Sequence, residues 1–160
     1  FYSDLGFTKA EIALYSKTYG LFAVIGGSIF GGVLAMRYGV MRILFTGAVL
    51  AAASNILFAF VAIQEANAPL LIAVIVADNM SAGLASAAFV AYLSGLTSVS
   101  FTAMQYSLYT SLMTLAPKLI GGYSGSMVDS LGYPVFFILT ALMGLPVLFL
   151  IVSISRKPLA

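Results

Sequence analysis

The chain has 160 residues, 62% hydrophobic and 8% charged, with a mean hydropathy of +1.10. A soluble domain is about 45–50% apolar and about 25% charged, and folding hides only about 70% of the surface of a ~150-residue chain, so a water-soluble fold is excluded, as is disorder. Seven basic against five acidic residues give a net +2 spread along the chain, which excludes the clustered basic surface that nucleic acid requires.

Five membrane spans are predicted, making an all-α polytopic membrane protein. The first follows a wet stretch, Phe1 to Phe7. Thr8 and Glu11 have capping-box spacing, and the chain is apolar over 12–36 apart from Lys17. At ~1.5 Å per residue that length crosses a ~30 Å hydrocarbon core. Arg37 to Arg42 forms a short polar turn, and the second span covers 43–63. After a brief loop, Pro69 suits a first helical position, where its missing N–H costs nothing. The third span, 69–96, carries Asp78 and Asn79 within it. A Ser/Thr-rich turn at 97–102 leads to the fourth, 103–128, which is interrupted by Pro117-Lys118 and Gly121-Gly122. Pro134 opens the fifth, 134–155, and Arg156-Lys157 follow it.

The continuous apolar runs contradict a β-barrel, whose ~10-residue strands alternate. Short connections make successive helices antiparallel neighbours. Basic residues divide four (Arg37, Arg42, Arg156, Lys157) against Lys9 and Lys17 on the other side, which places the C-terminus in the cytoplasm. Position 1 is Phe, and no charged leader precedes a cleavage site. The chain is therefore expected to be an internal or C-terminal piece of something longer.

Small residues mark where helices meet. Ala23, Gly27, Gly31 and Ala35 recur every four residues, as do Ala77, Ser81 and Ala85, and Gly121 pairs with Gly125. In lipid such faces allow close backbone approach, either as static packing or as a seam along which helices slide.

Absent residues narrow the chemistry. Without cysteine or histidine, disulfides, thiolate metal sites and the commonest general base are missing. No HExxH, GxSxG, P-loop or paired carboxylate occurs, so neither an enzyme nor a cofactor or metal is expected. Asp78 lies nine residues past Pro69, ~14 Å below the outer end. A lone carboxylate at such depth costs ~2.5–3.5 kcal/mol and needs a cavity or a partner. Lys118, on the antiparallel neighbouring span, sits at a matching depth, so an ion pair is geometrically possible. Asp78 is open to three roles: salt bridge, substrate contact or proton carrier. Asn79 lies beside it. Gln105, Tyr106, Tyr109, Thr110 and Thr114 give the fourth span a polar face suited to a sugar-like or peptide-like solute, or to interhelical hydrogen bonds. Asn55 is expected to make an interhelical hydrogen bond.

Residues Gly31 to Arg42 (GGVLAMRYGVMR), with Gly32, Arg37, Gly39 and Arg42 in register, resemble the G-x-L-x-x-R-x-G-x-x-R cytoplasmic loop of the major facilitator superfamily. That resemblance implies an Arg pair that acts as a gating element near helix ends. Asp4 to Ile12 (DLGFTKAEI), Lys17 to Gly20, Ala85 to Tyr92, Thr102 to Leu108 and Ser124 to Phe137 resemble the C-terminal half of AmpG-type muropeptide permeases. By that likeness the spans are helices eight to twelve of a major facilitator C-terminal bundle. The partner would be a missing N-terminal half with helix seven, and the location a bacterial inner membrane. The implied activity is proton-driven import of N-acetylglucosaminyl-anhydromuramyl peptides (GlcNAc-anhydroMurNAc peptides) for cell-wall recycling. Acetyl-CoA or other solute transport within the superfamily, and a non-transporting membrane subunit, are the alternatives.

Overall fold

A computed structural model describes residues 1–96 and 102–155. Most of the expected 97–102 turn, and Arg156 and Lys157, lie outside the described residues. Among those described, all regular structure is helical.

Helix α1 is one continuous rod, Lys9–Tyr38. It starts where expected: Thr8 Oγ accepts the Glu11 N–H at 3.3 Å, and the Glu11 carboxylate accepts the Thr8 N–H at 2.9 Å. One feature was not anticipated, a π-helical turn over Leu14–Tyr19 that contains Lys17. Gly39 then stops α1 at φ +94°, a conformation open to glycine and strained for other residues. It is the only residue between Tyr38 and the start of α2, Val40–Val61.

Helix α3, Ala68–Leu96, is capped by Asn67, whose side-chain oxygen accepts the Leu70 N–H at 3.0 Å. Pro69 falls in its first turn. The expected fourth span is two helices, α4 (Thr102–Gly121) and α5 (Ser124–Leu131), with the break at Gly122 and Tyr123. Four helices, α1, α2, α3 and α6 (Tyr133–Ser155), are long and apolar enough to cross a membrane. Helix α4 has the length, but Gln105, two tyrosines, three threonines and Lys118 dilute its apolar character. Gly132, at φ +76°, stops α5.

The bundle is layered α1–α3–α2–α6, with α4 and α5 at its margin. Helices α1 and α3 run parallel, because Gly27 faces Met80 and Gly31 faces Leu84. Helix α2 runs antiparallel to α3, since Gly47 meets Ala85 while Ser54 meets Asp78. A Cβ added to Gly27 would land on the Met80 carbonyl, and one added to Gly83 on the Val24 carbonyl. The seam therefore depends on glycines from both sides, with half-buried Ala23 at its upper end. Gly121 and Gly125 make no such contact among the described residues: no atom of those residues lies within 4 Å of an added Cβ on either, because α4 and α5 stand at the margin of the bundle.

Two apolar clusters hold the ends together. One, near the start of α1, joins Phe7, Phe58, Val61, Leu71, Val74 and Ile75. The other, near the Gly39 turn, joins Ala35, Ile43, Leu44, Leu84, Ala88 and Ile151. Large side chains elsewhere point outward, as Phe22 (72% exposed), Met36 (83%) and Phe149 (74%) show. Such surface requires lipid or another protein segment around it.

Candidate functional site

The polar side chains of the bundle lie in a girdle between the two apolar clusters. On α3, Asp78 and Asn79 follow Ile75 by one turn and precede Leu84. On α2, Ser54 and Asn55 precede Phe58 by the same interval. Adjacent residues on a helix diverge by ~100°, so Asp78 turns toward α2 and Asn79 toward α1.

Asp78 is half-buried, and its carboxylate accepts a hydrogen bond from Ser54 Oγ at 2.7 Å. Ser54 is only 2% exposed and also lies 2.9 Å from the Ala51 carbonyl. That same carbonyl accepts the Asn55 side-chain N–H at 2.9 Å. Asn55 in turn accepts from the Thr140 hydroxyl of α6 at 3.0 Å, which is the interhelical bond expected of it. Asp78, Ser54, the Ala51 carbonyl, Asn55 and Thr140 thus form one polar chain across three helices. Polar groups at this depth need such partners, because lipid supplies none.

Asn79 donates to the Ile75 carbonyl at 2.8 Å and occupies space that Gly20 leaves open, its amide nitrogen 3.2 Å from where a Cβ would sit. Within the π turn the Ser16 hydroxyl is buried without a hydrogen-bond partner, the one such side chain among the described residues. Ser28 ties α1 to α3 by donating to the Gly83 carbonyl at 3.3 Å.

The possible Asp78–Lys118 pair is not formed. Among the described residues no cation is paired with Asp78, and Lys118 is exposed on α4, which barely touches α3. Matching depths along two helices do not bring side chains together when one helix stands aside. Thr114 is exposed as well, while Gln105, Tyr106, Tyr109 and Thr110 are half-buried. On the polar face of α4 it is thus Thr114 and Lys118 that stand exposed. In the R-x-G-x-x-R loop, Arg37 and Arg42 are exposed, and Arg37 lies over the Tyr38 ring at 5.4 Å.

At the end of the bundle where α1 begins, aromatics that no spacing in the sequence groups come together. Phe1 lies 4.9 Å from the Tyr133 ring and 5.0 Å from Phe137, and Phe137 stacks on Phe58 at 5.3 Å. The Tyr133 hydroxyl donates to Asp4. Tyr2, in the same plug, has its phenol pushed up by burial and further by the charge of Asp78, so the carboxylate lies within electrostatic reach of the plug. Beside Ser54 a groove of about 270 Å³ opens between α2 and α3, lined by Leu50, Ala53, Leu57, Ala77, Met80, Ser81 and Leu84. A second space of about 420 Å³ separates α4 and α5 from Phe136, Thr140 and Met143 of α6.

Ser54 and Thr140 were not singled out from the sequence. A serine inside the Ala-rich run Ala51-Ala52-Ala53-Ser54-Asn55 reads as one more small packing residue until the facing helix is in place. Among the described residues no group of His, Cys, Asp and Glu is arranged to hold a metal.

Residues 1–159 match the family described as Major Facilitator Superfamily. "Putative transporter AmpG 4" of Rickettsia felis (strain ATCC VR-1525 / URRWXCal2) is 31% identical over 157 residues, 98% of this chain and 38% of its own length. "Anhydromuropeptide permease" of Escherichia coli (strain K12) is 30% identical over 147 residues, 92% of this chain and 30% of its own length. The chain therefore spans 30–38% of these curated relatives.

Proposed function

The chain belongs to the Major Facilitator Superfamily, and on that premise we propose that it is the C-terminal portion of a secondary transporter that imports anhydromuropeptides with protons. This is a multi-pass helical membrane protein of a transporter family. The relative named anhydromuropeptide permease supports that choice of substrate. In this reading the spans are helices eight to twelve, and the C-terminus is cytoplasmic in a bacterial inner membrane.

One observation carries the proton half of the proposal. Asp78 stands at membrane depth, hydrogen-bonded to a serine, and among the described residues no cation is paired with it. Ionisable groups at that depth mark ion and substrate pathways, and an aspartate paired only to a hydroxyl is free to exchange a proton. The polar face of α4, with Gln105, Tyr109, Thr114 and Lys118, then faces the cavity completed by the N-terminal half. Alternating access rocks two bundles about such a midplane site. The glycine seam between α1 and α3 supplies close packing within the moving unit, and the Arg37/Arg42 loop lies at its cytoplasmic rim.

The test is proton-driven uptake by the full-length transporter in proteoliposomes. Asp78→Asn is expected to abolish accumulation of anhydromuropeptide down an imposed pH gradient. Undiminished accumulation would remove Asp78 from the proton path.

A further inference from the structure

Ser54 has one hydroxyl hydrogen and two acceptors within reach, the Asp78 carboxylate at 2.7 Å and the Ala51 carbonyl at 2.9 Å. A hydroxyl donates once, so the two bonds cannot both be made at full strength from the serine. Which one forms depends on the aspartate. When Asp78 is ionised it is an acceptor only, and the Ser54 hydrogen points at it. When Asp78 is protonated, its own O–H donates to Ser54 Oγ, and the serine hydrogen turns to the Ala51 carbonyl. One O–H bond forms on the carboxyl with the incoming proton, no bond of Ser54 breaks, and the reverse step returns the proton.

We propose that Ser54 is a positioning residue that reads the protonation state of Asp78 and passes it, through the Ala51 carbonyl and Asn55, to Thr140 on α6. The inference rests on the reading of Asp78 as the proton carrier. The chain has the two discrete arrangements that coupling between sites requires. Its second hydroxyl repeats the choice, since Thr140 lies 3.0 Å from Asn55 Oδ1 and 2.9 Å from the Phe137 carbonyl. Thr140 also borders the space between α6 and the α4–α5 break, so a change there reaches the part of the chain least tied to the bundle.

Among the described residues no charged group is paired with Asp78. Between Arg42 and its end, α2 has no titratable residue. On α1, Lys17 is exposed, and on α4 so is Lys118. The N-terminal plug contributes the Tyr2 phenol, which senses the Asp78 charge.

The experiment compares wild type, Ser54→Ala, Ser54→Cys, Ser54→Thr and Asp78→Asn in the full-length transporter reconstituted in lipid. The infrared difference spectrum between acidic and alkaline pH isolates the Asp78 carboxyl stretch as the band that Asp78→Asn removes. With its acceptor gone in Ser54→Ala, that band is expected to move to higher frequency, with a smaller move in Ser54→Cys and restoration in Ser54→Thr. Gradient-driven uptake of radiolabelled anhydromuropeptide should fall about tenfold in Ser54→Ala, equivalent to ~1.4 kcal/mol, while counterflow exchange, which needs no net proton movement, falls less than about twofold. An Asp78 band unmoved in Ser54→Ala and Ser54→Cys would overturn the role of Ser54 even if uptake were lost. Gradient-driven uptake that survives Asp78→Asn would instead overturn the underlying proton reading.

Discussion

The parallel seam between α1 and α3 can be tested with a pair of adjacent glycines. Gly26 and Gly27 both lie in the middle of α1, so replacing either with alanine gains the same helix propensity, ~0.5–1 kcal/mol. Their surroundings differ. An alanine at Gly26 has no atom within 4 Å of its Cβ, whereas at Gly27 the Cβ falls on the Met80 carbonyl, with the Met80 Cα at 2.9 Å. Both obstacles are backbone, so no side chain can swing away, and two helices must part. Overpacking of this kind costs ~1–3 kcal/mol. The propensity term cancels in the comparison, which leaves Gly27→Ala less stable than Gly26→Ala by that full amount. Gly83→Ala probes the same contact from the facing helix, where Ser28 N lies 2.9 Å from the added Cβ. Once the seam has opened for one alanine the second meets less resistance, so the double variant should lose less than the sum. Thermal unfolding in one detergent at fixed concentration reads all four proteins. Equal midpoints for Gly26→Ala and Gly27→Ala would refute the seam.

Three further outcomes are expected. Gly39→Ala places a Cβ at φ +94° and should cost ~1–3 kcal/mol, read as a lower unfolding midpoint; no change would mean the α1–α2 connection bends differently. Thr140→Val removes the hydroxyl that joins α6 to Asn55 and should destabilise by ~0.6 kcal/mol, the average for hydrogen bonds between membrane helices, in denaturant titrations of the same kind. The Tyr133 hydroxyl bond is the largest cause holding the Asp4 carboxyl below its usual range. A depressed carboxylate contributes stability that is present above its ordinary titration range and is lost as pH falls through the folded value. Tyr133→Phe should therefore move the Asp4 midpoint upward in a carboxyl NMR titration, and an unmoved midpoint would dissolve the contact.

Helix positions were legible because a continuous apolar run has one structural outcome in lipid. The Thr8–Glu11 cap, the turn at Gly39 and the packing role of Gly27 and Gly31 follow from local chemistry, and each is visible as spacing in the sequence. The partners of Asp78 were not legible. Depth along a helix can be counted, but azimuth and the placement of α4 cannot, and so Lys118 matched Asp78 in depth while Ser54 took the bond. The same limit hid Thr140, which matters only because α6 packs against α2, and Gly121 and Gly125, whose spacing promised a contact that α4 and α5 do not make. The π turn at Leu14–Tyr19 was not legible either, because its polar Ser16-Lys17-Thr18 would read the same in an ordinary α-helical turn.

Coupling between a proton and a solute is the central property proposed for the transporter. Uptake of radiolabelled anhydromuropeptide by the full-length transporter in proteoliposomes, with an inward proton gradient imposed and then collapsed by a protonophore, measures it most directly. One proton moving down ~100 mV supplies ~2.3 kcal/mol, enough for about a 50-fold accumulation ratio. The expected result is accumulation of that order in wild type, lost with the protonophore and in Asp78→Asn. Equilibration without accumulation, or accumulation indifferent to the protonophore, would contradict it.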